Sequence, residues 1–202
     1  DNLIQIFNLR AGGLAIYGGV IAAVITLTVY TRKKKLSFFS MADSGCLGLI
    51  TGQIIGRWGN FFNCEAFGGY TDSLFAMRIR RALVNESMIS QDLLNHLIVK
   101  DGVEYIQVHP TFLYESVWNL GVLVFMLWYR KRKKFNGEML LIYLLGYGLG
   151  RVWIEGLRTD QLIFFNTGIA VSQALSLVLV VISALVLIWK HRQIRLKSKG
   201  ED

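Results

Sequence analysis

Long uninterrupted blocks of apolar residues alternate with short clusters of Lys and Arg along the chain. A membrane-spanning helix needs roughly 20 mostly apolar residues, because a rise of about 1.5 Å per residue must cross about 30 Å of hydrocarbon. The blocks that fit this length lie at residues 11–30, 36–55, 110–129, 138 to about 154, and 161–189. The second is weaker than the others, because it is rich in glycine and contains Asp43. The pattern predicts an all-α polytopic membrane protein with five transmembrane helices.

The basic clusters predict how these helices are oriented. Short loops rich in Lys and Arg stay on the cytoplasmic side of a membrane. The clusters at residues 32–35, 130–134 and 190–199 follow the first, third and fifth apolar blocks. Five crossings place all of them on the cytoplasmic side. The C-terminus is then cytoplasmic, and residues 57–109 form an external segment.

We expect one integral membrane domain in three parts. Residues 1–69 contain the first two spans and a motif rich in Gly and Asn, residues 70–108 form a small external cap, and residues 109–202 contain the last three spans and a basic tail. The cap segment has an amphipathic stretch at 86–98 and a strand-like stretch at 103–108, so we expect mixed structure there. His96 is expected to be a solvated helix residue.

Composition supports a membrane protein and excludes several other classes. Of the 202 residues, 53% are hydrophobic and 18% are charged, whereas soluble domains contain about 25% charged residues. The net charge of +8 comes from clusters that follow apolar blocks, not from one solvated face, which argues against nucleic-acid binding. Cys46 and Cys64 have neither the pattern of a disulfide framework nor the spacing of a zinc site.

Polar residues collect at the external ends of the predicted spans. Those residues are Arg57, Asn60, Asn63, Glu65, His109, Glu115, Arg151, Glu155 and Arg158. An ionisable group at membrane depth costs about 2.5 to 3.5 kcal/mol on insertion scales, so it is a functional-site candidate. Glu115 and Arg151 are the clearest cases, because each lies inside a predicted span.

Purely structural roles are the alternative for some of these charges. Arg151 and Glu155 are spaced i, i+4 and are able to neutralise each other. Arg158 lies near the interface, where its side chain is able to extend to a lipid headgroup. Asp43 is expected to cap the second helix or to mark a helix start near the cytoplasmic surface.

The motif richest in chemistry is GRWGNFFNCEAFGG at residues 56–69. Its glycines, Gly68 among them, permit tight turns and close backbone approach. Arg57 supplies a cation, Asn60 and Asn63 supply amides, and Glu65 supplies a carboxylate. A guanidinium binds phosphate bidentately and amides bind hydroxyl groups. The motif therefore predicts an outer-leaflet site for a phosphorylated lipid.

GRWGNFFNCEAFGG resembles the signature of bacterial prolipoprotein diacylglyceryl transferases. Three further segments resemble motifs of that family, in the family's order: RAGGLAIYGG at 10–19, HPTFLYES at 109–116 and GYGLGRVWIEGLRTD at 146–160. The resemblance implies a seven-span enzyme with an external N-terminus and a cytoplasmic C-terminus. Since five spans are predicted here, we expect two further spans to precede residue 1 in the complete protein.

The resemblance also implies a reaction. The diacylglyceryl unit of phosphatidylglycerol moves to the lipobox cysteine thiol of a preprolipoprotein, which forms a thioether and releases glycerol 1-phosphate in the first step of lipoprotein maturation. The implied location is the bacterial cytoplasmic membrane, with the active site toward the outer leaflet. The implied partners are phosphatidylglycerol, the lipobox peptide and membrane lipids, with no nucleic acid, metal or cofactor.

Matching the motif positions implies a role for each residue. Arg57 and Arg151 would hold the phosphate, Asn60 and Glu65 would orient glycerol hydroxyls and hold the arginines, and Glu155 would fix Arg151. The other residues implied in substrate binding are Asn63, Gly68, Tyr147 and Arg158, and those implied in orientation are Gly18, Gly19 and Glu115.

The general base stays open at this point. Many family members carry a histidine, the favoured base, where this chain has Tyr17. A tyrosine with the ordinary pKa of about 10 is a poor base at pH 7. Either Tyr17 only positions substrate, or His109 or Glu115 takes the proton, or thiolate formation depends mainly on the two arginines. The catalytic candidates are Arg57, Arg151, Tyr17 and His109.

Two other classes of function are alternatives. A polytopic transporter also carries intramembrane charges, but it needs polar residues at the midplane and a path to the cytoplasm. Here the charges cluster at one face, and the sequence has no visible inverted repeat. A non-enzymatic subunit that binds anionic lipid is the other alternative, and it would tolerate loss of the acid and base groups.

Overall fold

A computed structural model describes residues 15–159 and 170–199, and of residues 15–17 and 199 it describes the backbone alone. The elements in chain order are α1 (Ala15–Lys34), α2 (Phe38–Phe62), β1 (Met77–Arg80), α3 (Gln91–Asn95), β2 (Ile98–Lys100), β3 (Val103–Val108), α4 (Thr111–Tyr129), α5 (Glu138–Glu155) and α6 (Val171–Lys199). The long helices α1, α2, α4, α5 and α6 fall on the five predicted spans.

Three helices within the described residues are long and apolar enough to cross a membrane. They are Phe38–Phe62, Thr111–Arg132 and Val171–Ser198. Helix α5 is not among these three, because its 18 residues include the charged side chains of Glu138, Arg151 and Glu155. A mostly helical membrane protein is confirmed, and the number of five spans stays a prediction.

Helix α2 is longer than the apolar pattern predicts. Its N-cap is Ser37, whose side chain accepts a hydrogen bond from the Ser40 N–H. The helix continues past residue 55 and ends at Phe62. A charge at position 57 suggests the end of a span, but the guanidinium of Arg57 pairs with Glu115 inside the protein. The helix therefore continues through Arg57, because that charge is compensated within the fold.

Ser37 and not Asp43 caps α2, so the first of the two roles expected for Asp43 is wrong. It lies in the second turn of α2, where it is 4% exposed. One carboxylate oxygen accepts hydrogen bonds from the Gly137 N–H at 2.8 Å and from Lys133 Nζ at 3.0 Å, and the other accepts from the Leu140 N–H at 3.0 Å. Asp43 therefore satisfies open N–H groups at the start of α5, across the helix interface.

Glycines allow α5 to lie between α4 and α6. A Cβ atom at Gly148 would lie 2.8 Å from a Val180 methyl group on α6, and one at Gly150 would clash with the indole of Trp118 on α4. The Trp118 Nε1–H donates to the Gly146 carbonyl at 2.8 Å. The glycine spacing in this motif therefore provides the surfaces on which two neighbouring helices pack.

A second buried carboxylate joins α4, α5 and α6 at the end that carries the basic clusters. Glu138 is fully buried. It accepts hydrogen bonds from the Tyr129 hydroxyl at 2.6 Å and the Lys134 N–H, and His191 Nε2 lies 2.7 Å from its carboxylate. No sequence pattern indicated this cluster, because His191 is 53 residues away from Glu138 along the chain.

The segment between α2 and α4 has mixed structure. The strands form an antiparallel sheet in the order β1-β3-β2. The stretch predicted to be a strand is β3, and Ile106 and Val108 on it pack with Phe67, Ile79 and Leu93 in a small core. The all-α description therefore holds for the long helices, with this small sheet added. The three-part division of the chain stays a prediction.

His96 follows the last residue of α3, and its side chain is 44% exposed. Its ring stacks on Tyr70 with 3.9 Å between ring centroids, and its Nδ1 lies 2.8 Å from the Asp92 carbonyl oxygen. Part of the expectation holds, since the side chain reaches solvent, but one face of the ring is covered by Tyr70.

Replacing Asp43 with Ala is expected to lower the stability of the helix bundle. The change leaves two helix N–H groups and the Lys133 ammonium without their buried acceptor, and breaking a buried ion pair costs about 3–5 kcal/mol. Thermal unfolding in lipid nanodiscs measures the effect. Ser44→Ala is the control, because Ser44 is the exposed neighbour in the same helix. Equal unfolding midpoints for the two variants would contradict the capping role.

Candidate functional site

A buried carboxylate on α4 joins arginines from two other helices. Glu115 is 4% exposed. Its Oε2 pairs with Arg57 Nε on α2, and its Oε1 pairs with Arg151 Nη1 on α5. Charges removed from water are stable only when they are paired and hydrogen-bonded. The structure therefore brings together the two intramembrane charges singled out from the sequence and adds Arg57 to them.

The pairing continues along α5 and onto α6. Arg151 Nη2 pairs with Glu155 Oε2, and Arg158 Nη1 lies 3.7 Å from the same oxygen. The other Glu155 oxygen accepts a hydrogen bond from the Ser172 hydroxyl at 2.6 Å. We call the side chains of Arg57, Glu115, Arg151, Glu155 and Arg158 the ion chain. The i, i+4 pair expected from the sequence exists, but it is one part of this larger arrangement.

The arginines of the ion chain keep donors for an anion. A guanidinium has five N–H groups. Arg57 pairs with Glu115 through Nε, and each Nη of Arg151 carries a second hydrogen beyond the one given to a glutamate. The arrangement is able to bind an anion without giving up its internal pairs.

The structure does not join Asn63 and Glu65 to the ion chain. Both are exposed, and Asn63 Nδ2 donates to Glu65 Oε1 at 3.2 Å. The Glu65 N–H donates to the carbonyl of Asn60, which is partly buried at the end of α2. The chain turns here through Cys64 and Ala66, both with positive φ. These side chains lie after the helix that presents Arg57, and their proposed contacts with glycerol hydroxyls stay a prediction.

Backbone hydrogen bonds connect three of the motif segments, at residues 56–69, 109–116 and 146–160. The Gly68 N–H donates to the His109 carbonyl, the His109 N–H donates to the Gly69 carbonyl, and the Gly69 N–H donates to the Leu157 carbonyl, each at 3.0 Å. A Cβ atom at Gly68 would lie 2.7 Å from His109 Cβ and 2.9 Å from the Leu157 oxygen. Gly68 therefore acts through the backbone, by allowing this close approach.

His109 belongs to none of the ion pairs of the ion chain, and its described side-chain contacts are with Tyr114. Its Nδ1 is 3.3 Å from the Tyr114 hydroxyl, and Tyr114 stacks on Trp153 with 6.2 Å between ring centroids. His109 Nε2 has no hydrogen-bond partner within the part of the chain that the structure describes. The imidazole is thus held from one side and is available from the other.

Tyr147 lies beside the ion chain, as the sequence suggested. It lines a small cavity together with Glu115 and Arg151, and its ring stacks on Tyr143 with 5.7 Å between centroids. The glycines Gly18 and Gly19 lie on the exposed surface of α1, and the side chain of Tyr17 lies outside the described residues. No cluster of His, Cys, Asp or Glu able to hold a metal occurs in the described ranges.

Sequence reasoning missed two residues of the site. Ser172 on α6 donates a hydrogen bond to Glu155, and Trp118 lines both the cavity beside the ion chain and the apolar surface between α4 and α5. Neither belongs to a recognisable local pattern. The one available signal is for Trp118, which lies one turn after Glu115 on the same helix.

The chain matches one protein family over most of its length. A family profile described as prolipoprotein diacylglyceryl transferase matches residues 1–189. The chain is 43% identical over 162 residues to the phosphatidylglycerol–prolipoprotein diacylglyceryl transferase of Clostridioides difficile (strain 630), which covers 80% of this chain and 56% of the relative.

Two further relatives with the same name extend the match. The protein of Clostridium botulinum (strain Langeland) is 42% identical over 183 residues, which cover 91% of this chain and 66% of the relative. The protein of Bacillus cytotoxicus is 40% identical over 192 residues, which cover 95% of this chain and 66% of the relative. The matched region thus spans between 56% and 66% of the length of these curated relatives.

Replacing Gly68 with Ala is expected to destabilise the junction between the three motifs. The added methyl group must displace His109 or the Leu157 carbonyl, and such overpacking costs about 1–3 kcal/mol. Gly69→Ala is a matched control, because a Cβ atom at Gly69 meets nothing within 4 Å. Hydrogen exchange of the Gly69 N–H is the readout, and faster exchange is expected in the Gly68 variant. Exchange as slow as in the unmodified chain would contradict the role of this close approach.

Proposed function

We infer the function of this chain from the fact that it belongs to the prolipoprotein diacylglyceryl transferase family. We propose that it transfers the diacylglyceryl group of phosphatidylglycerol to the cysteine thiol of a prolipoprotein lipobox. The observation that carries the proposal is the ion chain, because it draws its charged residues from all three of the matched motifs that the structure describes.

The ion chain suits the phosphate of the lipid substrate. The phosphodiester of phosphatidylglycerol carries one negative charge, and guanidinium groups such as those of Arg57 and Arg151 bind phosphate oxygens bidentately. Arg57 and Arg151 are held by Glu115 before substrate arrives, so little reorganisation is needed when they bind the phosphate. Fixed donors that stabilise developing charge are among the largest contributions to catalysis.

The transfer itself exchanges one bond for another. The sulfur of the lipobox thiolate attacks the glyceryl carbon next to the phosphate, and the carbon–oxygen bond breaks. The bonding electrons move to the phosphate oxygen, so the leaving group is glycerol 1-phosphate and the product is a thioether. Arg57 and Arg151 stabilise the charge that collects on the leaving phosphate, and the thiol proton goes to a base.

We propose His109 as that base among the described residues. Both oxygens of Glu115 already pair with guanidinium groups, which leaves that carboxylate a structural role. An imidazole commonly exchanges protons near neutral pH, and His109 Nε2 is available while Nδ1 faces Tyr114. Tyr17 is the competing candidate, since its side chain lies outside the described residues and its motif position is that of the family's histidine.

The proposed orientation puts this chemistry at the outer leaflet of the bacterial cytoplasmic membrane. Basic residues lie in the last turn of α1, in the turn Arg130–Arg132 after α4, and near the end of α6. Since basic segments stay cytoplasmic, these ends face the cytoplasm. The ion chain lies at the opposite ends of α2 and α5, next to the sheet. Five crossings, an external sheet and a cytoplasmic C-terminus follow.

Conservative changes in the ion chain are expected to abolish most of the activity. Arg57→Lys and Arg151→Lys keep the charge but lose the planar donor set, and loss of one such group lowers the rate of transfer by about 100- to 1,000-fold. Arg80→Lys is the control, because Arg80 is exposed on β1. The assay follows labelled diacylglyceryl from phosphatidylglycerol to a lipobox peptide, with the protein in vesicles.

Two outcomes would contradict this proposal. Full activity in both arginine variants would mean that the ion chain does not bind the leaving phosphate. Binding of phosphatidylglycerol by the unmodified protein without any transfer would favour the lipid-binding subunit instead.

Removing the base is expected to change the pH dependence of transfer. His109→Gln should lower the rate most near neutral pH and recover part of it at higher pH, because more of the substrate thiol then ionises without help. Tyr17→Phe serves as the comparison. Loss of turnover in Tyr17→Phe with little change in His109→Gln would overturn the assignment and move the base to α1.

A further inference from the structure

A long apolar groove lies between α4 and α5 on the surface of the helix bundle. Its volume is about 760 Å³, which lies within the range of about 300–1,000 Å³ typical of ligand pockets. It extends from Leu113 to Phe125 along α4 and from Trp153 to Ile142 along α5. Phe75, from the loop before β1, also lines the groove.

The length of the groove matches one leaflet of a bilayer. From Leu113 to Phe125 the rise of about 1.5 Å per residue gives about 18 Å. The hydrocarbon core of a membrane is about 30 Å thick, so each leaflet contributes about 15 Å. An extended acyl chain of one leaflet therefore fits along the groove.

One end of the groove lies at the depth of the ion chain. Tyr114 and Trp153 line the groove, and they occupy the same helical turns as Glu115 and Arg151. Trp118 borders both the groove and the small cavity that contains Glu115 and Arg151. Trp118 is thus a lining residue that the polar site and the apolar groove share.

We propose that this groove binds one acyl chain of the phosphatidylglycerol molecule whose phosphate the ion chain holds. This inference rests on the proposed function. A ligand that fits both features has an anionic head and an apolar tail, which is the chemistry of an anionic phospholipid. The direction also agrees, because the groove leads from the depth of the arginines toward the middle of the proposed membrane.

A larger side chain at Gly121 would fill part of the groove without disturbing the fold. Gly121 lines the groove, and a Cβ atom there meets nothing within 4 Å. Gly121→Leu therefore adds bulk to the groove alone. Gly52→Leu is the matched control, because Gly52 lies in α2, is exposed, meets nothing within 4 Å and does not line the groove.

Photocrosslinking tests the proposal without relying on transfer. The full chain in nanodiscs is exposed to phosphatidylglycerol that carries a diazirine in the middle of one acyl chain, and to phosphatidylcholine with the same label. Labelled peptides are then identified by mass spectrometry. We expect phosphatidylglycerol to label Leu145 and Leu149 in preference to phosphatidylcholine, whereas exposed Val181 on α6 takes up both labels equally.

The two variants separate the possible outcomes. Gly121→Leu should abolish the preference for phosphatidylglycerol in the labelling of Leu145 and Leu149, because its side chain occupies part of the groove volume, and Gly52→Leu should not. Equal labelling by the two lipids, or no effect of Gly121→Leu, would overturn the proposal. Arg57→Lys in the transfer assay tests the ion chain separately, so failure of the groove is distinguishable from failure of the proposed function.

Discussion

The ionised carboxylate of Glu115, held between guanidinium groups of two other helices, is the interaction on which the site depends. An unpaired charge at that depth would be costly, and each carboxylate oxygen of Glu115 has its own guanidinium partner. Pairing Glu115 with both Arg57 and Arg151 fixes how α2, α4 and α5 approach one another. Each Nη of Arg151 keeps a second hydrogen beyond these pairs, so the arrangement that holds the helices together also suits the proposed binding of a phosphate.

Features at both ends of the helices keep this arrangement in place. At one end, the backbone hydrogen bonds around Gly68 join the segment after α2 to the start of α4 and the end of α5. At the other end, Asp43 caps α5, and Glu138 connects α4, α5 and α6. Buried polar groups remain stable only when their partners are complete, so these contacts restrict helix sliding. The arginines are therefore positioned by contacts at both ends of the bundle.

Patterns within short stretches of the sequence predicted the helices and one strand, but they did not predict contacts between residues far apart along the chain. The apolar blocks indicated the long helices, and the strand-like composition of residues 103–108 indicated the strand Val103–Val108. Intramembrane charge identified Glu115 and Arg151, but no sequence spacing relates Glu115 to Arg57. Asp43 shows the limit most clearly, because its side chain suits the cap of its own helix, yet it caps a helix that begins almost a hundred residues later. Which helix a buried carboxylate caps depends on how the helices pack against one another, and no short stretch of the sequence contains that information.

A double-mutant cycle on unfolding free energy tests the central claim, that Glu115 couples the two arginines. Arg57→Gln and Arg151→Gln are measured alone and together, in the natural background and with Glu115→Gln. The account predicts a coupling between the arginines of about 0.5–3 kcal/mol, because loss of both leaves the buried Glu115 carboxylate without a cationic partner. It also predicts that the coupling disappears when Glu115 is replaced by Gln. Effects that add within about 0.5 kcal/mol in the natural background would contradict it.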